Sequence, residues 1–154
     1  MAIRLATVAS CPFCEYIAGS REGAFVRRGR LVSSLVNRTQ YDRGALLIIP
    51  NRHLQTLLDL DAATLEAIAH EAQLLGRALV EGLAATGINV FQNNGVDANQ
   101  HYPHYHMHVV PRYPGSDPTK IYSEKDFEPV SLAEQRDVAA RIRRALGAVA
   151  EETP

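Results

Sequence analysis

The 154-residue sequence has no long apolar run and no excess of either charge. A segment that crosses a bilayer needs roughly 20 predominantly apolar residues, and no stretch of the chain approaches that length. The N-terminal segment MAIRLATVAS is too weakly apolar to predict a signal peptide. Lys and Arg number 16 and Asp and Glu number 17, which argues against bulk electrostatic binding of nucleic acid. We therefore expect a cytoplasmic protein without a membrane or nucleic-acid partner.

Cysteine is also scarce, because Cys11 and Cys14 are the only two in the chain. In a reducing cytosol, a pair this close predicts a metal site or a redox motif rather than a structural disulfide. The sequence has no internal repeat and no low-complexity segment. A chain of this length suits one domain with a sizeable core, so we expect residues 1–154 to form a single domain.

Apolar periodicity predicts strands that alternate with two helices. Short aliphatic segments predict strands at 32–37, 45–50, 88–91 and 105–112, and apolar residues at steps of three and four predict helices at 61–85 and 131–149. The turn signal YDRG joins the first two strands and predicts that they pair antiparallel. Residues 114–130 hold three prolines and predict irregular structure. The order of these elements predicts an α+β fold with a mainly antiparallel sheet.

Histidine is concentrated in one place. Four of the six histidines lie in the segment HYPHYHMHVV, which begins at residue 101. On a strand, residues two apart share a face at steps of about 6.6 Å, so His104, His106 and His108 would line one surface. The intervening Tyr105 and Met107 are apolar enough to pack under the long helix. The imidazoles would then be held on a rigid element, as a reactive group requires.

Two chemistries fit such a row of imidazoles. Neighbouring histidines can chelate a hydrolytic zinc ion. Alternatively, a neutral imidazole can attack an electrophilic phosphorus while its neighbours stabilise charge on the phosphoryl oxygens. A zinc hydrolase also needs a carboxylate base, and the nearest candidate, Asp97, lies in a loop outside the strand. The residues alone leave both alternatives open.

Four motifs in order resemble those of a known family. HYHMHVV resembles the signature of the histidine triad family, in which histidines alternate with apolar residues. CPFCEYIAGS resembles the family's N-terminal opening, LVNRTQYDRGALLIIPNRH its strand–turn–strand segment, and FQNNGVDANQ the substrate loop before the triad. The resemblance covers about residues 10–115 and leaves a C-terminal helical extension, 131–150, outside. It implies an α+β fold with an antiparallel five-stranded sheet, one long helix packed on it and a C-terminal helix.

The resemblance also implies an activity. Members of the family bind nucleotides, act on the α-phosphate and use the middle triad histidine, here His106, to form a covalent nucleotidyl-histidine. An imidazole attacks only when neutral, and its reference pKa of about 6.5 leaves it mostly neutral at pH 7. A carbonyl of the triad backbone would fix its tautomer. We expect a nucleotide hydrolase or nucleotidyl transferase for nucleoside phosphoramidates or dinucleoside polyphosphates.

Family precedent further implies a homodimer that binds a purine nucleotide such as AMP. Two other functions stay open: a zinc-dependent hydrolase that uses the triad as ligands, and a nucleotide-binding module without catalysis.

The nucleotide-binding positions follow from the same resemblance. Asn37 stands where the family contacts the ribose, and Phe13 and Leu35 stand in its apolar base pocket. The positions that contact the phosphate or the leaving group correspond to Asn93, Gln100, His101 and His108. Asn93 has a second interpretation, because NNG is a strong turn signal.

The segment CPFC has three interpretations. It resembles a glutaredoxin active site, but a redox C-x-x-C belongs between a strand and the helix that it opens, and the flanking segments predict neither. Two free thiols are the second interpretation. In the third, a structural zinc ion takes four N or S ligands. Zinc-binding branches of the histidine triad family imply the ligand set Cys11, Cys14, His53 and His104. We interpret His70, in the long helix, as a surface residue.

Three positions depart from the family's pattern. Ala45 stands where another histidine is usual, Asn99 where Gly is common, and His101 where Ser or Thr is usual. These departures leave the nucleophile untouched but make the leaving-group preference an open question. His101 also stands close enough in sequence to substitute as a zinc ligand.

Overall fold

The computed structural model describes residues 3–119, 127 and 129–151, apart from the side chains of 149–151. The helices are α1 (Pro12–Ala18), α2 (Ala62–Leu83) and α3 (Leu132–Glu151). The strands are β1 (Phe25–Arg28), β2 (Val32–Val36), β3 (Leu46–Pro50), β4 (Gly87–Phe91) and β5 (Met107–Arg112). Two short 3-10 turns lie at Leu57–Asp59 and Val96–Ala98.

The five strands form one antiparallel sheet in the order β1-β2-β3-β5-β4. This confirms the predicted α+β fold with a five-stranded sheet, a long helix and a C-terminal helix. α1 and β1 are not among the elements that periodicity predicts. β5 begins at Met107, two residues later than predicted. The preceding backbone bonds outside the sheet, since the Tyr105 amide donates to the Leu54 carbonyl at 2.6 Å.

Alternation along β3 separates the two faces of the sheet. Leu46 and Ile48 belong to the main core, which α2 and α3 cover. Leu47 and Ile49 belong to a second cluster on the opposite face, together with Phe13 of α1. Among the described helices, only α1 packs on this second face. The period of two along the strand therefore leaves one face of the sheet largely open for a site.

α2 is held on the sheet by apolar contacts and by one buried carboxylate. Leu75 and Leu79 are fully buried in the main core. Glu71 is also buried, and it accepts a hydrogen bond from the Ser34 hydroxyl at 2.7 Å. The Arg27 guanidinium lies 3.3 Å from the other carboxylate oxygen. These two partners compensate for the burial of the Glu71 charge, which would otherwise be costly.

α3 begins with the capping box that the sequence predicts. The Ser131 amide donates to the Glu134 carboxylate at 2.9 Å, and the Glu134 amide donates to the Ser131 hydroxyl at 3.2 Å. Immediately before the helix, the Val130 amide donates to the Arg38 carbonyl at 3.0 Å. This bond holds the start of α3 beside the end of β2.

The proline-containing segment 114–130 is irregular wherever it is described, with one isolated bridge at residue 129, while 120–126 and 128 lie outside the described residues. None of the helices in the described part of the chain is both long and apolar enough to cross a bilayer.

Replacement of Leu75 by Ala tests how much the packing of α2 contributes to stability. Leu75 is fully buried, and a Leu→Ala cavity in a core costs about 2–5 kcal/mol. We expect the unfolding free energy, measured by urea denaturation, to fall by that amount. Leu58→Ala is the matched control, since that side chain is 75% exposed and its truncation should cost less than about 0.5 kcal/mol. Equal effects at the two positions would contradict the packing described above.

Candidate active site and metal site

Strand pairing aligns a row of side chains across the face that α1 covers. His108 on β5 pairs with Phe91 on one side and Leu47 on the other, Leu47 pairs with Leu35, and Leu35 pairs with Phe25. Adjacent strands lie about 4.8 Å apart, so the distance from His108 to Phe25 is roughly 14 Å. The row places an imidazole near one end of an apolar floor, with only Phe91 beyond it.

A cleft of about 330 Å³ lies over this floor. Residues that line it include Pro12, Phe13, Leu35, Asn37, Leu47, Tyr102, His106 and His108. The cleft thus combines an apolar floor with a polar rim that includes two imidazoles, one amide side chain and the guanidinium groups of Arg21 and Arg38. Small-molecule sites pair apolar walls that bind the ligand with polar groups that orient it.

His106 is fixed in one tautomer by the backbone. Its Nδ1 lies 2.7 Å from the carbonyl oxygen of His104. A carbonyl only accepts, so Nδ1 carries the proton and the lone pair of the ring is on Nε2. His106 as a residue is only 9% exposed, and its ring packs against Phe13, with ring centroids 4.9 Å apart. Backbone and packing together hold an imidazole of defined orientation on the cleft wall.

His108 is held neutral by its surroundings. Its ring stacks on Phe91 at 4.4 Å between centroids, and Tyr41 meets it edge-on at 5.7 Å. No described residue bonds to its Nδ1. Burial and, to a smaller extent, the charge of His106 lower the pKa of His108 to about 3. His108 can therefore donate a hydrogen bond into the cleft as a neutral imidazole but carries no charge near pH 7.

Cys11, Cys14, His53 and His104 offer four metal-binding atoms that all lie within 4.8 Å of one another. The Cys11 and Cys14 sulfurs lie 3.3 Å and 3.6 Å from Nδ1 of His104, and the Cys14 sulfur lies 3.2 Å from Nδ1 of His53. Zn–S and Zn–N bonds in a tetrahedral site place sulfur and nitrogen about 3.5 Å apart. The residues therefore fit a zinc ion in number, in kind and in spacing.

The surroundings of these four residues also suit a cation. His104 donates from Nε2 to the Pro50 carbonyl at 3.0 Å, which leaves its Nδ1 lone pair for a metal. Burial, followed by the hydrogen bond and the charge of Cys11, raises the pKa of Cys14 to about 11. A divalent cation would oppose that shift by stabilising the thiolates.

The positions of CPFC and of the triad histidines disfavour two alternatives, a redox C-x-x-C and a zinc hydrolase. No strand precedes α1 among the described residues 3–10, and α1 itself has seven residues. The strand–turn–helix setting of a redox C-x-x-C is thus missing there. A zinc hydrolase with the triad as ligands also lacks support, because His106 and His108 lie outside the metal-binding group found among the described residues. His70 is exposed on α2, as predicted.

The predicted nucleotide-binding residues divide into two groups. Phe13, Leu35, Asn37 and His108 line the cleft together, whereas Asn93, Gln100 and His101 are not among its described lining. The side chain of Gln100 accepts from the Gly95 amide and donates to the Gln55 carbonyl, each at 2.7 Å. Gln100 therefore braces the loop that precedes the histidine segment. The roles of these residues toward a nucleotide stay predictions.

Two of the three departures from the family's pattern contact each other. Asn99 has a φ of 66°, a left-handed conformation that Gly adopts freely and that Asn tolerates better than most residues. Its side-chain oxygen lies 3.0 Å from Nε2 of His101. The unusual Asn99 and His101 thus form one local unit. The third departure, Ala45, is fully buried beside Tyr41, in the aromatic cluster around His108.

Sequence reasoning misses several residues that line the cleft. Arg38 follows the predicted ribose position, and Tyr16 and Arg21 come from α1 and the connection to β1. Tyr102 lies at the cleft as well, 6.0 Å from Phe13 between ring centroids. The position of Arg38 directly after Asn37 is the one signal in the sequence that could have indicated its role.

The chain is similar to known proteins in sequence and structure. A family model for the HIT domain matches residues 21–115. The chain is 32% identical over 104 residues to Protein hit of Bacillus subtilis, which covers 68% of this chain and 72% of the relative. It is 37% identical over 109 residues to an AP-4-A phosphorylase of Mycobacterium tuberculosis, covering 68% of this chain but only 54% of the phosphorylase. The fold superposes with a TM-score of 0.80 and 28% identity on a zinc-bound histidine triad family protein from Mycobacterium smegmatis, covering 94% of this chain and 98% of that one.

Removal of one predicted zinc ligand tests the metal site. We expect the purified protein to contain about one zinc ion per chain and Cys14→Ser to lose it, since a structural site needs four ligands. Metal-binding energy contributes to folding, so the melting temperature should fall by at least about 5 °C. Zinc content and thermal unfolding are the two measurements. His70→Ala, at an exposed histidine, is the control and should change neither. Full zinc content in Cys14→Ser would refute the assignment.

The low pKa of His108 makes stability depend on pH. The unfolded chain protonates this residue below about pH 6.5, whereas the folded chain keeps it neutral until about pH 3. The unfolded state therefore binds more protons in this window, and the unfolding free energy falls as the pH is lowered, by at most about 1.4 kcal/mol per pH unit from this group. We expect His108→Asn to show a shallower fall between pH 6 and 4 in urea denaturation. Zinc loss at low pH affects both proteins alike, so parallel curves would contradict a buried neutral His108.

Proposed function

This chain belongs to the histidine triad (HIT) family, and we propose that it is a nucleotide hydrolase or nucleotidyl transferase that acts on the α-phosphate through His106. The substrates that we propose are nucleoside phosphoramidates and dinucleoside polyphosphates. The similarity to an AP-4-A phosphorylase supports the second class. The observation that carries the proposal is the hydrogen bond from Nδ1 of His106 to the His104 carbonyl. This bond keeps the proton on Nδ1 and so leaves the Nε2 lone pair of a neutral imidazole for attack on phosphorus.

The composition of the cleft supports one orientation of the nucleotide. Phe13 and Leu35 provide an apolar slot for the base. Asn37 is buried at the end of β2, and its side-chain oxygen accepts from the Thr39 amide at 3.1 Å. The Asn37 amide NH2 then faces no described acceptor and suits a ribose hydroxyl. The α-phosphate would lie against His106, at the β5 end of the floor.

The proposed reaction has two steps at phosphorus. In the first, the Nε2 lone pair of His106 forms an N–P bond, and the bond to the leaving group breaks with its electron pair on that group. A phosphate leaves as an anion, and an amine takes a proton from water. In the second, water attacks phosphorus and gives its proton to solvent, where it neutralises the hydroxide left by the amine. The electron pair of the N–P bond returns to Nε2, and a nucleoside monophosphate is released. A phosphate acceptor in place of water makes the enzyme a transferase.

Two contacts favour the covalent intermediate. Formation of the N–P bond gives the His106 ring a positive charge, and the His104 carbonyl stabilises it through the Nδ1–H bond. His108 stands 5.2 Å from His106 between ring centroids and is neutral. Its N–H would stabilise negative charge on a phosphoryl oxygen. Because His108 does not titrate near neutral pH, it would act as a hydrogen-bond donor rather than as a general acid.

The metal has a structural role in this proposal. Cys11, Cys14, His53 and His104 would hold zinc, which would tie α1, the end of β3 and the histidine segment together. Its chemistry is charge neutralisation of the two thiolates. Both phosphorus steps are carried out by residues of the cleft.

Replacement of the nucleophile tests the proposed reaction. We expect His106→Ala to lower kcat for adenosine 5′-phosphoramidate and diadenosine tetraphosphate by at least about 10³-fold, because the covalent step requires its Nε2. Release of AMP is the measurement. A rapid quench of the parent protein at alkaline pH, where an N–P bond survives, should yield a nucleotidyl adduct on His106 by mass spectrometry.

His70→Ala serves as the control for this experiment, since it removes an exposed histidine far from the triad in sequence. It should retain parental kcat. Turnover by His106→Ala at the parental rate would exclude the nucleophile. Nucleotide binding without any turnover by the parent would identify a non-catalytic binding module instead.

A further inference from the structure

One end of the cleft carries charged groups for which the proposed chemistry has no use. Arg21 and Arg38 line the cleft together with Tyr16. The same three residues line an adjoining cavity of about 380 Å³, which extends to Ser131 and Gln135 at the start of α3. No histidine is among the described residues of that cavity. The two arginines therefore stand at the boundary between the nucleotide cleft and a second space.

The sheet places this boundary opposite the reactive end. From His108 on β5 to Leu35 on β2 the distance is about 10 Å, two strand spacings. Arg38 lies just past the end of β2, and Arg21 lies in the connection that leads to β1, the next strand outward. A nucleotide with its α-phosphate at His106 and its base over Leu35 would therefore direct the outer edge of the base toward the two arginines.

We propose that Arg38, supported by Arg21, selects guanine over adenine. This inference rests on the proposed function, because it assumes a nucleotide in the cleft. Guanidinium groups have five N–H donors and no acceptor. Guanine presents O6 and N7 as two adjacent acceptors, and Arg pairs with both. Adenine has an amino group, a donor, in place of O6. Its N7 can accept from only one N–H of the guanidinium, and its N6–H group points at the positive charge.

The contacts of the two arginines support a division of roles. Arg21 donates from Nε to Glu15 at 2.6 Å, and its guanidinium lies 5.7 Å from the centre of the Tyr16 ring. These contacts fix its orientation. The guanidinium of Arg38 has no acceptor among the described residues, although its backbone carbonyl is bonded to the start of α3. Arg38 thus has an anchored backbone and a guanidinium that no described acceptor engages, so its donors are available to a base edge.

Charge alone would not give this selectivity. The side chain of Arg21 is 43% exposed, and Arg38 is exposed as well, so solvent and salt screen their long-range field. A screened positive field attracts GMP and AMP equally. Discrimination between them therefore requires the directed pair of hydrogen bonds that a guanidinium makes and that a point charge does not.

The test compares two substrates in three proteins. We expect kcat/KM of the parent to be about tenfold higher for guanosine 5′-phosphoramidate than for the adenosine compound, the effect of one bidentate pair. Arg38→Met keeps the apolar stem and removes the donors, so the ratio should fall to about one. Arg77→Met, at an exposed position on α2, should keep the parental ratio. Dissociation constants of GMP and AMP from calorimetry should follow the same pattern.

The outcomes separate this inference from the proposed function. Equal turnover of both substrates by the parent, or an equal fall for both in Arg38→Met, would overturn base selection and leave the hydrolase intact. The second result would mean that Arg38 acts only as a charge. Absence of both turnover and binding in the parent would remove the proposed function, and the inference with it. A tenfold ratio that Arg38→Met abolishes supports both.

Discussion

The position of the backbone at His104 is the constraint on which the rest of the site depends. Its carbonyl accepts from Nδ1 of His106 at 2.7 Å and so determines the tautomer of that ring. Its own imidazole donates to the Pro50 carbonyl and directs the other nitrogen to the two cysteine sulfurs. One residue thus belongs both to the metal-binding group and to the hydrogen bond that fixes the His106 tautomer. A displacement of His104 at the metal-binding group would move its carbonyl and, through the hydrogen bond that this carbonyl accepts, the ring of the proposed nucleophile, His106.

The helices cover the two faces of the sheet unequally, and the less covered face carries the cleft beside the histidine segment. α2 and α3 bury one face almost completely, and Glu71 fastens α2 to Ser34 and Arg27. The other face carries only α1 among the described helices, and α1 is short because the C-x-x-C segment begins it and Gly19 ends it. The stability of the fold can therefore rest on one face while the opposite face keeps a cleft.

The sequence predicts the long elements of this fold and the residues near the histidines, but not the far end of the cleft. Periodicity identifies α2 and the β2–β3 pair because each is long or strongly apolar. β1 escapes prediction, since its sequence FVRR has four residues and two exposed arginines. β5 starts late because His104 bonds to Pro50, at the end of β3, and Tyr105 bonds to Leu54 in the segment that follows β3. Such long-range contacts leave no periodic trace in the sequence.

The two ends of the cleft also differ in how they are built. The histidine end comes from one continuous segment, in which His104, His106 and His108 are positioned by their own backbone and by β5. The opposite end is assembled from three separate segments, around residues 21, 38 and 129–135. The last of these lies outside the part of the chain that the HIT domain matches. Substitutions at that end leave the bond between His106 and the His104 carbonyl in place, because both partners lie within the histidine segment. The side chains around residues 21, 38 and 129–135 can thus vary while the orientation of His106 is kept.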